Sequence, residues 1–330
     1  MKESSVNSLS CPTCRRTEWR LVVHESDAQE VRSGELKCES CKRTFLIDRG
    51  IVDFLDPDDE QLQREINGWE QMAGHLPESL VSTMTALPSY PHGEWPYVAA
   101  DFFQIFEYVD FSDRRVVDLG AGRTWSTRFL KTRGRAAEVA AVDVLKKRFL
   151  GLETAEIFFL EDRIFFERYC ADIHQLPLRD GWADIVFSSA SIHHSSDPLR
   201  LFREVARVMK PGGIFVFISE PVKMKSNKAR QPENEETRLG INENVYSFEE
   251  YREAWRAAGF RGRQLSPRSV RYRSLYPDRD FQLGLPPMVQ YMTRGARRRR
   301  LLSHLLRGRW TGPFVYQYAN LPLTCILTKR

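Results

Sequence analysis

No stretch of the chain approaches the roughly 18 consecutive apolar residues that a membrane-spanning helix needs. The polar opening, MKESSVNSLS, has none of the apolar core of a signal peptide. A cytoplasmic location is therefore expected. Strong charge of one sign is absent too. The 49 Lys and Arg face 44 Asp and Glu, a formal excess of +5, so total charge does not imply a nucleic-acid partner and distribution matters more. Cysteine is scarce beyond residue 41: only Cys170 and Cys325 remain, each inside an apolar run, where a single thiol behaves as a small apolar side chain. No disulfide is expected, as suits a reducing compartment. There are no internal repeats.

The other four cysteines form two C-x-x-C pairs, CPTC and CESC, with 23 residues between them. Short strand-like runs at Arg20–His24, Gly34–Lys37 and Thr44–Ile47 place the pairs on adjacent hairpins. Cys11, Cys14, Cys38 and Cys41 can then meet as a tetrahedral thiolate set that suits structural Zn²⁺. So small a unit has little core, and the metal must supply much of its folding energy. A closed four-cysteine site leaves His24 surplus, a surface strand residue. Residues 1–55 are expected to be a zinc ribbon and 56–94 a connector. The connector begins with a helix start at DPDDEQ and continues through a Pro-, Ser- and Gly-rich loop. Residues 95–330 form the main domain, which opens with a helix at about Pro96–Val109 and carries an insertion at about 270–320.

From Arg114 strands and helices alternate. Strands are expected at Arg115–Leu119, Glu138–Val144, Arg168–Cys170, Ala183–Ser188 and Gly213–Ser219. Helices fit at Trp125–Thr132, within 146–166 and at Pro198–Met209, with KPGG (210–213) as a helix stop and turn. A capping box at Ser247 and Glu250 opens a helix that stops at Gly259. Arg261–Leu265 and Leu323–Lys329 make a final strand pair. This pattern predicts an α/β fold, a doubly wound and mostly parallel sheet covered on both faces, with ligands at the carboxyl ends of its strands.

The first of these strands ends in Asp118-Leu-Gly120-Ala121-Gly122. A dinucleotide loop has a further glycine at the sixth position, which packs the helix close while its N-terminus holds pyrophosphate; Trp125 stands there instead. NAD and FAD are thereby disfavoured. Asp143, 21 residues after Gly122 at the second strand end, is placed to bind ribose hydroxyls. A carboxylate at a strand end can alternatively cap the next helix.

The D-x-G-x-G loop, AAVDV, YCADIHQLP, DIVFSSASIHH and EVARVMKPGGIFVFISEP, in that order, resemble the motifs of class I S-adenosylmethionine-dependent methyltransferases, over about residues 114–220. The family's usual third glycine falls at Thr124. The resemblance implies a seven-stranded Rossmann-like sheet. It also implies S-adenosylmethionine held by Asp118, Gly120, Ala121, Gly122, Asp143, Val144, Asp172, Ile173 and Ser189, with Asp172 reading the adenine amino group. The cysteine unit, ending in FLIDRGIVDFL, resembles the small zinc-ribbon activators of methyltransferases, which implies a scaffold role.

A hydroxyl acceptor profits from a general base, and a histidine titrates near neutral pH, so His193 and His194 are the catalytic candidates. Pocket lining and helix capping are the structural alternatives for both. Tyr90, His92 and Trp95 could close over the cofactor. His174 reads as a solvated loop residue. The SASIHH segment looks like the branch that methylates small metabolites, and the Asn/Asp-Pro-Pro-aromatic signature of many amino-methylating enzymes is absent. A small or carrier-linked acceptor, methylated at oxygen, is the expectation. Methylation of rRNA or tRNA is the second reading, and a non-catalytic binder on the same scaffold the third. The basic segment 294–309 would place Leu301, Leu302, Leu305 and Leu306 on one helix face. It is a solvated helix, a phosphate contact or a peripheral contact with anionic lipid.

Overall fold

The computed structural model describes residues 1–74, 76–91, 93, 95–225, 234–270, 287–293 and 295–330. Four strands come first: β1 (Trp19–Ser26), β2 (Val31–Cys38), β3 (Thr44–Asp48) and β4 (Ile51–Asp53). Three helices follow, α1 (Glu60–Ala73), α2 (Val81–Ala86) and α3 (Trp95–Ile105). The alternating part runs β5 (Arg115–Leu119), α4 (Trp125–Thr132), β6 (Glu138–Asp143), α5 (Ala155–Glu161), β7 (Glu167–Cys170), β8 (Ala183–Ser189), α6 (Pro198–Val208) and β9 (Met209–Glu220). It continues with α7 (Glu235–Arg238), α8 (Phe248–Ala257), β10 (Phe260–Leu265), α9 (Pro287–Thr293), α10 (Ala296–Arg307), α11 (Thr311–Ala319) and β11 (Leu323–Lys329).

The strands lie in one sheet, in the order β1-β2-β3-β4-β7-β6-β5-β8-β9-β11-β10. The expected seven-stranded sheet is its β7-to-β10 part. There β7, β6, β5, β8 and β9 are parallel, and β11 runs antiparallel between β9 and β10. Strand order reverses between β5 and β8, which opens a crevice at their carboxyl ends. Val116, Val117 and Leu119 of β5 are buried because apolar layers cover both faces.

The first four strands extend this sheet. β4 pairs in parallel with β7, Val52 opposite Tyr169, so the cysteine-bearing hairpins continue the central sheet. The joint is polar at its centre. Arg168 of β7 is fully buried and donates to Glu30 (2.5 Å), to Glu156 of α5 (2.8 Å) and to the Arg49 carbonyl (2.8 Å). A second tie runs from Arg15 to Glu204 of α6 (2.9 Å).

Local expectations hold at the caps: Ser247 and Glu250 form the capping box of α8. KPGG differs. It lies within β9, where pairing with β8 slips between Ala183–Met209 and Ile185–Ile214, so the extra residues make a bulge that ends α6 without leaving the sheet. The connector loop contains α2, and residues 75, 92 and 94 lie outside the described ones. Of the 270–320 insertion, 271–286 and 294 lie outside the described residues, and the rest carries α9 to α11. In α10, Leu302 and Leu306 are buried but Leu301 is 52% exposed, so the four leucines do not share one buried face.

Candidate active site

The loop after β5 is built around a close approach. A side-chain carbon on Gly120 would stand 1.8 Å from Ser191 Oγ, and the residue has φ +67°, so glycine is required twice over. Gly122, at φ +46°, has nothing within 4 Å of where a side chain would begin, and its N–H donates to Asp143 Oδ2 (2.7 Å). Thr124, where the third glycine is missing, still adopts the left-handed conformation a glycine would take, φ +57°. Trp125 fills the space above the loop. Its ring meets Phe102 of α3 edge-on at 4.9 Å and Trp95 at 5.7 Å.

Around this loop lies a cavity of about 410 Å³, within the range of small-molecule sites. Of the nine residues expected to hold a cofactor, eight line it: Gly120, Ala121, Gly122, Asp143, Val144, Asp172, Ile173 and Ser189. Asp118 does not. It is buried beneath the loop and accepts from Ser126 Oγ (2.7 Å) and Thr127 Oγ1 (2.5 Å), so it anchors the start of α4, the capping alternative for a strand-end carboxylate.

Asp143 accepts from the Gly122 and Leu145 N–H groups, yet burial pushes its carboxyl up to about 6. Ligand hydroxyls donating here would favour the charged form. Asp172 is held below the usual carboxylate range by His174, despite an opposing cost of burial. His174 is a correction to the solvated-loop expectation. It lines the cavity, pairs through Nδ1 with Asp172 Oδ1 (2.8 Å) and through Nε2 with Ser195 Oγ (2.7 Å), and its ring fixes the carboxylate.

The two candidate bases separate. His193 is buried, does not line the cavity, and bridges Glu220 (Nδ1, 2.9 Å) and Glu243 (Nε2, 3.6 Å). Burial opposes its charge, but the two carboxylates prevail and raise it to about 10, so it is a cation at neutral pH and cannot accept a proton. As a candidate base it is corrected by the structure to a buried ion-pair partner. His194 lines the cavity and is pushed down to about 4, by burial first and by the neighbouring His193 cation next. Neutral, it donates from Nδ1 to the Asn242 carbonyl (2.5 Å), which leaves the lone pair on Nε2.

No motif in the sequence marks Glu65 as a site residue. It sits on α1, in the segment expected only as a connector, and lines the cavity with Trp69, one turn on. Its Oε2 accepts from Asn242 Nδ2 (2.8 Å), and its Oε1 stands 3.9 Å from His194 Nδ1. Burial, reinforced by Asp143, Asp172 and Glu243, raises it to about 7. A glutamate in an exposed-looking helix carries no local sign of this; its burial depends on α1 folding back over the strand ends.

At the other end of the sheet, the Sγ atoms of Cys11 and Cys41 are 3.7 Å apart and those of Cys14 and Cys38 are 3.6 Å apart. A tetrahedral ion with Zn–S bonds of about 2.3 Å requires sulfur separations of about 3.8 Å. The two turns match: the residue after each pair, Arg15 and Lys42, takes positive φ and donates to the carbonyl of the first cysteine. The donor set and spacing fit structural zinc. Among the described residues a second close group is His193, His194 and Glu243. His24 is exposed on β1, as expected.

Residues 117–217 match the family described as a methyltransferase domain. A malonyl-acyl-carrier-protein O-methyltransferase of Halorhodospira halophila is 35% identical over 120 residues, which cover 36% of this chain and 39% of that protein. A dimethylglycine N-methyltransferase of Parasynechococcus marenigrum is 36% identical over 106 residues, 31% of this chain and 36% of that protein. The chain thus spans somewhat under two-fifths of the length of these curated relatives. The fold is shared with geranyl diphosphate C-methyltransferase from Streptomyces coelicolor, at a TM-score of 0.55 and 15% identity, over 84% of this chain and 100% of that one.

Proposed function

We propose that this chain, which carries a class I S-adenosylmethionine-dependent methyltransferase domain at the centre of its sheet, methylates an oxygen of a small or carrier-linked acceptor. One observation carries the reading: the cavity that collects eight of the nine cofactor-binding positions also holds Glu65, a buried carboxyl raised to about 7. A general base is most effective when it titrates near the working pH.

The residues present fit the cofactor. Asp143 would take the ribose hydroxyls, Asp172 Oδ2 the adenine amino group, and the Gly120–Gly122 backbone the amino-acid end. When bound, the cofactor supplies a sulfonium-activated methyl group. The chain's contribution is to hold the acceptor in line and remove its proton. Glu65 takes that proton, with Asn242 fixing one of its oxygens. His194 is the second acceptor in reach of the cavity, since its Nε2 lone pair is free of the bond that occupies Nδ1. The cysteine unit, on this reading, binds zinc and scaffolds the sheet edge without touching the chemistry.

A carrier-linked oxygen acceptor is supported by the malonyl-acyl-carrier-protein O-methyltransferase, whereas the dimethylglycine relative is an N-methyltransferase. The pH dependence of the rate distinguishes the two candidate bases. With Glu65 as base, kcat/KM rises through about pH 7, because only the deprotonated carboxylate accepts, and Glu65→Gln lowers the rate by about 100-fold or more and removes the limb. With His194 as base, the limb lies near pH 4 and Glu65→Gln leaves it in place. Calorimetric titration with S-adenosylmethionine tests the premise, and no binding would sink it. Labelled methyl transfer into a fractionated extract tests the acceptor, and label in RNA would replace the oxygen-acceptor reading.

A further inference from the structure

The charge of this chain is unevenly spread. Residues 281–330 contain eight arginines and one lysine and not one Asp or Glu, whereas the whole chain is only +5, so the preceding residues are net acidic. In the described part of that segment exposed arginines line an outward face of α10. Arg297, Arg300, His304 and Arg307 of α10 are exposed, at helical spacing, and Leu301 is exposed among them.

The next helix continues this surface with rings. Trp310 is 79% exposed, Phe314 63% and Tyr318 43%, and Phe314 and Tyr318 touch at 5.2 Å on one face of α11. On α9, Met288 and Tyr291 are likewise exposed. Large apolar side chains at such exposure, set among arginines and with no carboxylate nearby in the sequence, are costly to hold in water and mark a contact surface.

We propose that α10 and α11 form a peripheral docking surface for an anionic lipid bilayer, independent of the methyl-transfer reading. Arginines would meet the headgroups, while Trp310, Phe314 and Leu301 enter the boundary with the acyl chains, the usual division of an interfacial amphipathic surface. The ring geometry favours lipid over nucleic acid. Base stacking needs a ring face, and Arg298 over Tyr291 at 4.1 Å from the centroid and Arg309 over Trp310 at 5.5 Å each take up one side of a ring. Leu301 and Met288 have no ring face at all. Insertion into a bilayer needs only apolar volume and tolerates cations at the headgroup level. No helix among the described residues is long and apolar enough to cross a membrane, so the contact is superficial.

The test is co-sedimentation of the full chain with vesicles of phosphatidylcholine alone or mixed with phosphatidylglycerol, across a range of NaCl. Binding is expected to the mixed vesicles and to weaken with salt. Arg297→Glu with Arg300→Glu should lower partitioning on the order of fivefold or more per arginine. Trp310→Ala with Phe314→Ala should weaken binding with little change in its salt dependence. All four positions are exposed, and unchanged thermal unfolding and S-adenosylmethionine binding would show that the variants fold. If the cofactor does not bind while vesicles do, the methyl-transfer reading fails and this one stands. Absence of binding to mixed vesicles, binding indifferent to both variants, or retention of labelled tRNA without vesicle binding would overturn it.

Discussion

Gly120 is the position in the β5–α4 loop that tolerates no side chain, since a Cβ would collide with Ser191 Oγ and the backbone is left-handed. Gly120→Ala should cost about 1–3 kcal/mol of local strain, and S-adenosylmethionine affinity, measured calorimetrically, should fall roughly tenfold or more. Thr124 shows the opposite accommodation, a β-branched residue bearing a glycine's conformation while fully buried. Glu65 offers a second test, of stability. Its folded pKa is raised to about 7 from 4.5, so the folded chain binds the proton more tightly. The stabilisation from that proton is full below about pH 4.5 and is lost as pH rises through about 7. Glu65→Gln should therefore raise Tm relative to the parent chain at pH 8 and change it little at pH 4.5, with a gain on the order of 2 kcal/mol. Equal shifts at both pH values would mean the carboxyl is not held protonated by its surroundings.

The elements meet through a few specific ties, and the joint between β4 and β7 is the most consequential. Arg168 is fully buried against Glu30 and Glu156, and Glu30 also receives the Met1 amino group at 2.9 Å. Removing one member of a buried charge cluster leaves another charge unpaired in a dry site, at about 3–5 kcal/mol. Arg168→Met should sit toward the lower end because Met1 and Arg32 still partner Glu30 and Arg32 still pairs with Glu156, and urea unfolding should show the loss. A variant as stable as the parent would mean the cluster contributes shape only. Helix α1 makes the parallel point about function. Its start was visible in the sequence, and its Asp59 cap accepts from Gln61 and Leu62 as an acidic helix start predicts. That its buried face brings Glu65 and Trp69 over the strand ends was not visible, because nothing local tells a helix which partner it will cover.

Across the molecule, one sheet runs from the cysteine turns to β10, so a metal lost at one end is felt along it. If the four thiolates hold zinc, binding worth on the order of 10 kcal/mol supports the hairpins. Chelation, or Cys11→Ser with Cys38→Ser, should then lower the unfolding temperature, and calorimetry should show one transition because β4 and β7 share a core. Metal analysis checks the premise: a chain that purifies without zinc at the same stability has no such site.

The α/β alternation, the D-x-G-x-G loop, Asp143, Asp172 and the paired C-x-x-C turns were all legible in the sequence. Each depends on neighbours within a few residues: a strand's apolar run, a turn's glycines, a helix cap. The protonation of the two histidines was not legible. His193 and His194 are adjacent and chemically identical, yet they shift in opposite directions: Glu220 arrives from β9 to bond the first, Glu243 from the loop before α8 stands 3.6 Å from the first and 3.4 Å from the second, and burial with the neighbouring His193 charge holds the second neutral. The fusion of the cysteine hairpins to the sheet edge, the withdrawal of Asp118 beneath its loop and the arrival of Glu65 in the cavity share that origin. Short-range patterns prescribe backbone shape and the strand ends where a ligand can sit. The charge state of a buried group depends on the sum of long-range contacts and lost water, and those exist only once the chain has closed on itself.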